Sequence, residues 1–238
     1  CELDAARSDL LSKQRAAAVT VGKEWGPVRD LVEGIALENA REPYAGDLVK
    51  PEAATWDFRA LPGIYLRLRL AQAADAATLR RAAEDSQKDG FSACLLKGGR
   101  APSADAGAAE DRPWNLRQAY AAARVLEDRW VSEVKSADNE MRLRVFRQQY
   151  EKAQNTELPL AIEIVRRAHF FLLVLDEDTP EAKAEADGGV PTVEQLQTTS
   201  HPARVVLVSL KTREVLARLR RTAEGRFFMA GEHAMTDP

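Results

Sequence analysis

The sequence has little of what usually marks a metal site, a disulfide-bonded domain or a membrane span. Its 238 residues include two cysteines, Cys1 and Cys94, and three histidines, with no CxxC pair and no Cys/His cluster at zinc spacing. We therefore expect neither a structural metal nor a disulfide framework. The longest apolar run, HFFLLVL, is far shorter than the roughly 20 residues that a transmembrane helix needs.

An excess of charge of one sign is also missing. The chain has 34 basic and 37 acidic residues, which gives a formal net charge of −3. Proteins that bind nucleic acid through the phosphate backbone usually carry a clear basic excess. We therefore expect no nucleic-acid partner.

Motifs for cofactors and catalysis are lacking too. The GGR at 98–100 follows a predicted strand, but it has neither the GxGxxG spacing nor the Lys-Ser/Thr of a phosphate loop. No serine lies in a GxSxG context, and the acidic run DEDTPEAKAEAD does not have the ligand order of a calcium loop. We predict no cofactor, no metal, no catalytic residue and no enzymatic activity.

An enzyme built on histidine is the alternative to a non-catalytic protein. His169 and His201 are each predicted at the start of a strand, and neighbouring strands would bring them together with Asp176 or Glu177. Asp176 is seven residues along a strand from His169, however, which is more than about 20 Å. Structural or solvated histidines are the simpler interpretation.

What the sequence does contain is enough apolar content, 45% of residues, for one substantial core. Residues 1–42 form a polar tether and helices, which we predict as two helices separated at Gly26 and Pro27. Residues 43–238 form a single α+β domain.

The clearest local unit in that domain is a strand–helix–strand. Ile64, Leu66 and Leu68 alternate with polar residues, which is typical of a strand with one face on a core. Asp75 is placed to cap the following helix, and FSACLLKG, which contains Cys94, has the composition of a second strand. Small and polar residues predict a flexible loop near 98–113.

Helices and a hairpin follow. Residues 114–154 are predicted as two helices with a break at SADN, 136–139, and Asn155 or Thr156 as the cap of a further helix. HFFLLVLDED is apolar on both faces and predicts a central strand. After a flexible loop near 177–202, ARVVLVSL and VLARLRR predict a C-terminal β-hairpin. The fold is then a mixed sheet of about five strands, packed by helices, with an N-terminal helical extension.

Arginine placement gives the candidate ligand site. Arg67 and Arg69 share one face of a predicted strand, and Arg218 and Arg220 share one face of another. If these strands were neighbours, the four guanidinium groups would line one sheet face and could bind phosphates or carboxylates. The simpler interpretation is that they lie on solvent faces or pair with nearby acidic residues.

The first residue points to a location. Cys1, followed by the polar stretch ELDAARSD, resembles the mature N-terminus of a bacterial outer-membrane lipoprotein. The resemblance implies a lipid on Cys1, with the globular part on the periplasmic side of the outer membrane, where Glu2 in place of Asp favours the outer over the inner membrane. Two or three acyl chains hold a protein durably. A cloning boundary or fragment end, and a disulfide between Cys1 and Cys94, are the alternatives.

These observations give two functional hypotheses. The first is a lipid-anchored, non-catalytic adaptor or structural component of a cell-envelope assembly, with the membrane and an envelope protein as partners. The second is a binding module for an anionic envelope ligand, such as lipopolysaccharide, peptidoglycan or an acidic protein, through Arg67, Arg69, Arg218 and Arg220.

Overall fold

The computed structural model describes residues 2–57, 60–85, 113–177 and 200–224. The helices are α1 (Glu2–Arg41), α2 (Pro51–Thr55), α3 (Ala76–Asp85), α4 (Arg117–Ala123), α5 (Asp128–Lys135), α6 (Glu140–Lys152) and α7 (Leu158–Arg167). The strands are β1 (Leu48–Val49), β2 (Gly63–Arg69), β3 (Trp114–Asn115), β4 (Phe170–Asp176), β5 (Ser200–Ser209) and β6 (Val215–Glu224).

The described strands form one mixed sheet of six, in the order β1-β6-β5-β4-β2-β3. β2 runs parallel to β3 and to β4, and the other neighbouring pairs are antiparallel. The predicted α+β class is confirmed, with six strands where about five were expected. The C-terminal hairpin is confirmed as β5 and β6.

β4 is central, as its apolar sequence predicts. Phe171, Leu173 and Leu175 face the helices, and Phe170 and Val174 on the other face are also buried. A strand that is covered on both sides needs no polar alternation.

The strand–helix–strand unit is described as far as its helix. β2 and α3 are present, and the Asp75 carboxylate caps α3 by accepting from the Thr78 amide at 2.9 Å. The predicted second strand with Cys94 lies outside the described residues. So do Cys1, His233, most of the predicted loops at 98–113 and 177–202, and the chain after residue 224.

The prediction of two N-terminal helices is wrong, because α1 is a single helix of 40 residues that contains Pro27. Proline inside a helix removes a backbone hydrogen bond and costs about 3 kcal/mol. Trp25 and Val28 flank Pro27 and are both buried, and Val32 and Ala36 continue the same buried stripe. Packing along this stripe offsets the local cost.

The predicted break at 136–139 is confirmed, since Asn139 caps α6 through its side chain, which accepts from the Arg142 amide at 2.9 Å. A further break at Glu127, whose backbone is extended, separates α4 from α5 and was not predicted. The predicted cap at Asn155 or Thr156 is wrong. A π turn at 153–157 instead carries α6 directly into α7, where Pro159 occupies a first-turn position.

The main core lies between the helices and one face of the sheet. It contains α1 residues from Leu10 to Ala36 together with Leu66, Leu173 and Val206 of the strands. A smaller cluster on the other sheet face packs Ala53 of α2 against Phe170 and Leu216. Both faces of the sheet are therefore covered near β4 and β5.

Candidate functional site

The structure does not bring the four predicted ligand-binding arginines together. Arg67 and Arg69 lie on β2, and Arg218 and Arg220 lie on β6, with β4 and β5 between the two strands. Leu66 aligns across the sheet with Leu173, Val206 and Arg218, so Arg218 faces the same side as Leu66 and the opposite side from Arg67. The expectation of one arginine-lined face is wrong in its geometry.

The β2 arginines have separate roles. Arg67 forms a two-pronged ion pair with Asp176 at the end of β4, with Nε to Oδ2 at 2.7 Å and Nη2 to Oδ1 at 3.0 Å. Arg69 is exposed, and its backbone amide donates to the Gln72 side chain at 2.9 Å, where the strand turns into a short 3₁₀ segment. Arg67 thus links β2 to the C-terminal end of its parallel neighbour, β4.

The β6 arginines belong to a network of carboxylates. Arg220 and Arg204 of β5 both donate to Glu177, which follows β4, and the Arg204 Nε to Glu177 Oε1 distance is 2.6 Å. Arg218 lies 3.8 Å from the Glu42 carboxylate. Burial acts to raise the pKa of Glu177, but the hydrogen bonds from Arg204 and Arg220 outweigh it and lower that pKa below its ordinary value.

The segment between α1 and β1 completes this network. The Asp47 carboxylate accepts from Arg221 Nη1 at 2.7 Å, from the Tyr44 hydroxyl and from the Arg220 amide at 3.0 Å. The Arg221 hydrogen bond, followed by that of Tyr44, holds the pKa of Asp47 well below its usual range. The Arg220 guanidinium also lies 5.9 Å from the centre of the Tyr44 ring.

These groups sit beside an exposed apolar pair at the edge of the sheet. Leu48 is 38% exposed and Val49 55% exposed, and together they make up strand β1. We call this the β1 edge surface: Tyr44, Asp47, Leu48, Val49, Arg220 and Arg221. Gly46 permits the turn that leads into β1, because its φ of 102° is one that other residues rarely adopt.

The charges on this surface are already matched with one another. Each guanidinium named in it has a carboxylate partner, which leaves no concentrated positive field for a free phosphate. The β1 edge surface instead presents two charge-paired arginine side chains, an aromatic ring and two aliphatic side chains. Arginine, tyrosine and aliphatic groups at an exposed strand edge are features of protein–protein contact surfaces.

The histidine hypothesis is not supported by the topology. His169 and His201 do precede or begin neighbouring strands, but β4 and β5 are antiparallel, and Asp176 pairs with Ala203 while Phe170 pairs with Ser209. The two positions therefore lie at opposite ends of the sheet, roughly 30 Å apart along the strands. In the described ranges, no group of three or more His, Cys, Asp or Glu residues is arranged to hold a metal ion.

Comparison with known proteins adds no family to this geometry. The chain matches no family model, no curated protein and no solved structure. None of the helices that the structure describes has both the length and the apolarity needed to cross a membrane.

Sequence reasoning missed most of the β1 edge surface. The segment YAGDLVK has the composition of a turn, and nothing local indicates that Asp47 contacts residues more than 170 positions away. The one available indication is the Gly46-Asp47 pair, since glycine followed by aspartate is typical of a turn.

Proposed function

We propose that the protein is a non-catalytic adaptor of a cell-envelope assembly, held to a membrane by lipid on Cys1, and that it contacts its partner through the β1 edge surface. The observation that carries the proposal is the composition of that surface. Exposed Leu48 and Val49 lie beside the Tyr44 ring and two charge-paired arginines.

The charge pairing favours a protein partner over a free anion. An arginine that already donates to a carboxylate samples fewer rotamers, so less rotamer entropy is lost when a partner packs against its stem. Its charge is also neutralised, which lowers the cost of removing it from water. The same pairing weakens the case for an anionic ligand at Arg218 and Arg220.

The length of α1 supports the adaptor role. The helix begins at Glu2, next to Cys1, and ends at Arg41, just before the β1 edge surface. A straight helix of that length spans about 60 Å. Its first turns pack against the body, since Leu10 is buried and Arg7 Nη2 donates to the Ala137 carbonyl at 2.7 Å. An anchor on Cys1 would therefore lie at one end of a rigid spine and the contact surface at the other.

The anchor is tested by the intact mass of the N-terminal peptide. The protein is expressed with its native upstream sequence, and the membrane and soluble fractions are compared. We expect a mass increase that matches a diacylated or triacylated Cys1, in the membrane fraction. An unmodified Cys1, or further residues before it, would overturn this half of the proposal.

The surface is tested by a paired set of variants. Val49→Asp and Arg221→Glu place a negative charge on the β1 edge surface, and the control Val19→Asp does the same at a position of α1 that is 56% exposed. We expect both surface variants to lose the envelope complex on native gels of gently solubilised membranes, while the control keeps it. Equal behaviour of all three would contradict the proposed contact.

A further inference from the structure

The outward side of α6 carries exposed apolar side chains. The helix packs on the body through a narrow buried stripe, which consists of Leu143, Phe146 and Tyr150. On the opposite side, Met141 is 65% exposed and Val145 is 44% exposed, one helical turn apart. Met141 is the most exposed large apolar side chain in the part of the chain that the structure describes. This apolar pair is available to a second surface.

Arginines without a carboxylate partner surround the apolar pair. Arg142, Arg144 and Arg147 are exposed, and within the described ranges no carboxylate lies at ion-pair distance from any of them. With about 3.6 residues per turn, Arg144 lies beside Met141, and Arg142 and Arg147 lie on the two borders of the outward side. The β1 edge surface differs in this respect, because each of its guanidinium groups has a carboxylate partner.

The acidic residues of α6 lie at its two ends. Glu140 is in the first turn and Glu151 is in the last, and the segment between them, 141–150, contains three arginines and no acidic residue. Lys152 is already paired with Glu157 at 2.6 Å. The middle of α6 therefore combines three unpaired positive charges with the apolar pair, in a chain whose formal net charge is −3.

α6 lies beside the first turns of α1. Arg7 Nη2 donates to the carbonyl of Ala137, shortly before α6, at 2.7 Å. The Tyr150 hydroxyl donates to the carbonyl of Lys13 at 2.9 Å. α6 thus runs along the part of α1 that follows Glu2, which is the opposite end of α1 from the β1 edge surface.

We propose that five side chains, the α6 outer face (Met141, Arg142, Arg144, Val145 and Arg147), rest on an anionic phospholipid surface. Guanidinium groups donate pairs of hydrogen bonds to phosphate oxygens. The long arginine stems let the charges stay among the head groups while the methionine and valine enter the boundary with the acyl chains.

The composition of the α6 outer face favours lipid over an acidic protein as the partner. The face contains no aromatic residue, although aromatic side chains are the usual central anchors of protein contacts. Apolar side chains between arginines are instead typical of a helix that lies in the head-group region of a membrane. The orientation that follows rests on the proposed lipid at Cys1: with the anchor and α6 both on the bilayer, α1 runs along the membrane.

Vesicle flotation tests the α6 outer face without the anchor. The full chain with Cys1→Ser is mixed with vesicles of phosphatidylcholine alone, or of phosphatidylcholine and phosphatidylglycerol in equal parts, at low ionic strength. We expect binding to the anionic vesicles only, and its loss as salt is added, because salt screens exposed charges. No binding to the anionic vesicles would overturn the proposal, whether or not cells attach lipid to Cys1.

Paired variants locate the contact on the protein. Arg144→Gln combined with Arg147→Gln should lower the vesicle partition constant about 25-fold, which is about fivefold for each arginine. The control combines Arg166→Gln and Arg167→Gln, which remove the same charge from α7 at positions that are 54% and 76% exposed, and it should keep most of the binding. Equal losses from the two pairs would contradict a contact through the α6 outer face.

Quenching by brominated lipid measures the contact when an anchor is present. In a Cys94→Ser chain, Cys1 is coupled to a maleimide lipid in the same anionic vesicles, so that the anchor is supplied chemically. Met141→Trp should then be quenched by brominated acyl chains beyond the level of the parent chain, and Val49→Trp in the β1 edge surface should not. Equal quenching of the two variants would contradict the proposed orientation.

An acidic protein partner would give a different result. The Cys1→Ser chain would then ignore anionic vesicles, while the combined Arg144→Gln and Arg147→Gln variant would lose the envelope complex on native gels. That result would make the α6 outer face a protein contact and would overturn the proposal of a lipid surface.

Discussion

Replacing Arg80 with methionine should destabilise the protein through Glu33, the carboxylate buried where α1, α3 and α4 meet. Glu33 is 3% exposed, and Arg80 holds it with two hydrogen bonds of 2.8 Å, while the Tyr120 hydroxyl lies at 3.3 Å and Arg29 at 3.9 Å. The Tyr120 ring packs edge-on against Trp25 with centroids 5.7 Å apart, so the ion pair is enclosed by the helical core.

The expected magnitude follows from the loss of one partner of a buried pair. Such losses cost about 3–5 kcal/mol. Arg80 is 33% exposed and Arg29 remains nearby, so the lower end applies, about 3 kcal/mol. For a chain of this size that corresponds to a fall in Tm of roughly 6–12 °C.

Chemical denaturation and calorimetry of Arg80→Met, Glu33→Gln and the double variant measure the effect. The double variant should be more stable than Arg80→Met, because it removes the unpaired charge. The control Arg166→Met loses an exposed pair with Glu24 and should cost below about 0.5 kcal/mol. A loss below about 1 kcal/mol for Arg80→Met would refute the role given to this pair.

Three further outcomes are expected, two from single substitutions and one from a change of pH. Gly63→Ala should cost about 1–3 kcal/mol in unfolding experiments, because the added Cβ would lie 2.1 Å from Phe170 Cζ, and a second change, Phe170→Leu, should recover part of it. Asn139→Ala should cost about 1 kcal/mol by removing the α6 cap, and Asn139→Ser should retain most of the stability. The pKa of Glu84 rises from 4.5 in the unfolded chain to about 7 in the folded protein. Between these two pH values the native state keeps a proton that the unfolded chain has lost. The free energy of unfolding of the wild-type protein should therefore fall as pH rises from 4.5 to 7 and then level off. The stability difference between wild type and Glu84→Gln should follow the same curve, and a flat difference would contradict the shift.

The elements with a strong local pattern could be predicted from the sequence. The period-2 alternation of β2, the doubly apolar β4 and the C-terminal hairpin are all visible within short windows. The order of the strands in the sheet could not be predicted from such local patterns. β2 pairs in parallel with β4 although about 100 residues separate them in the chain, and no local pattern encodes such a pairing.

The failure of the arginine face has the same origin. Alternation tells which residues of one strand share a face, but the face relative to another strand depends on register, and a shift of one residue reverses it. Arg67 and Arg218 fall on opposite faces for that reason. Pro27 shows the related limit for helices, because long-range packing of Trp25 and Val28 keeps α1 continuous.

Photo-crosslinking in the native cell tests the proposed adaptor most directly. A photoreactive residue is placed at Val49, in the β1 edge surface, and for comparison at Val145, which is 44% exposed on α6. We predict one discrete crosslinked species in the membrane fraction from position 49, lost when Arg221→Glu is added, and none from position 145. A crosslink from both positions alike, or from neither, would contradict the claim that this surface joins the protein to an envelope partner.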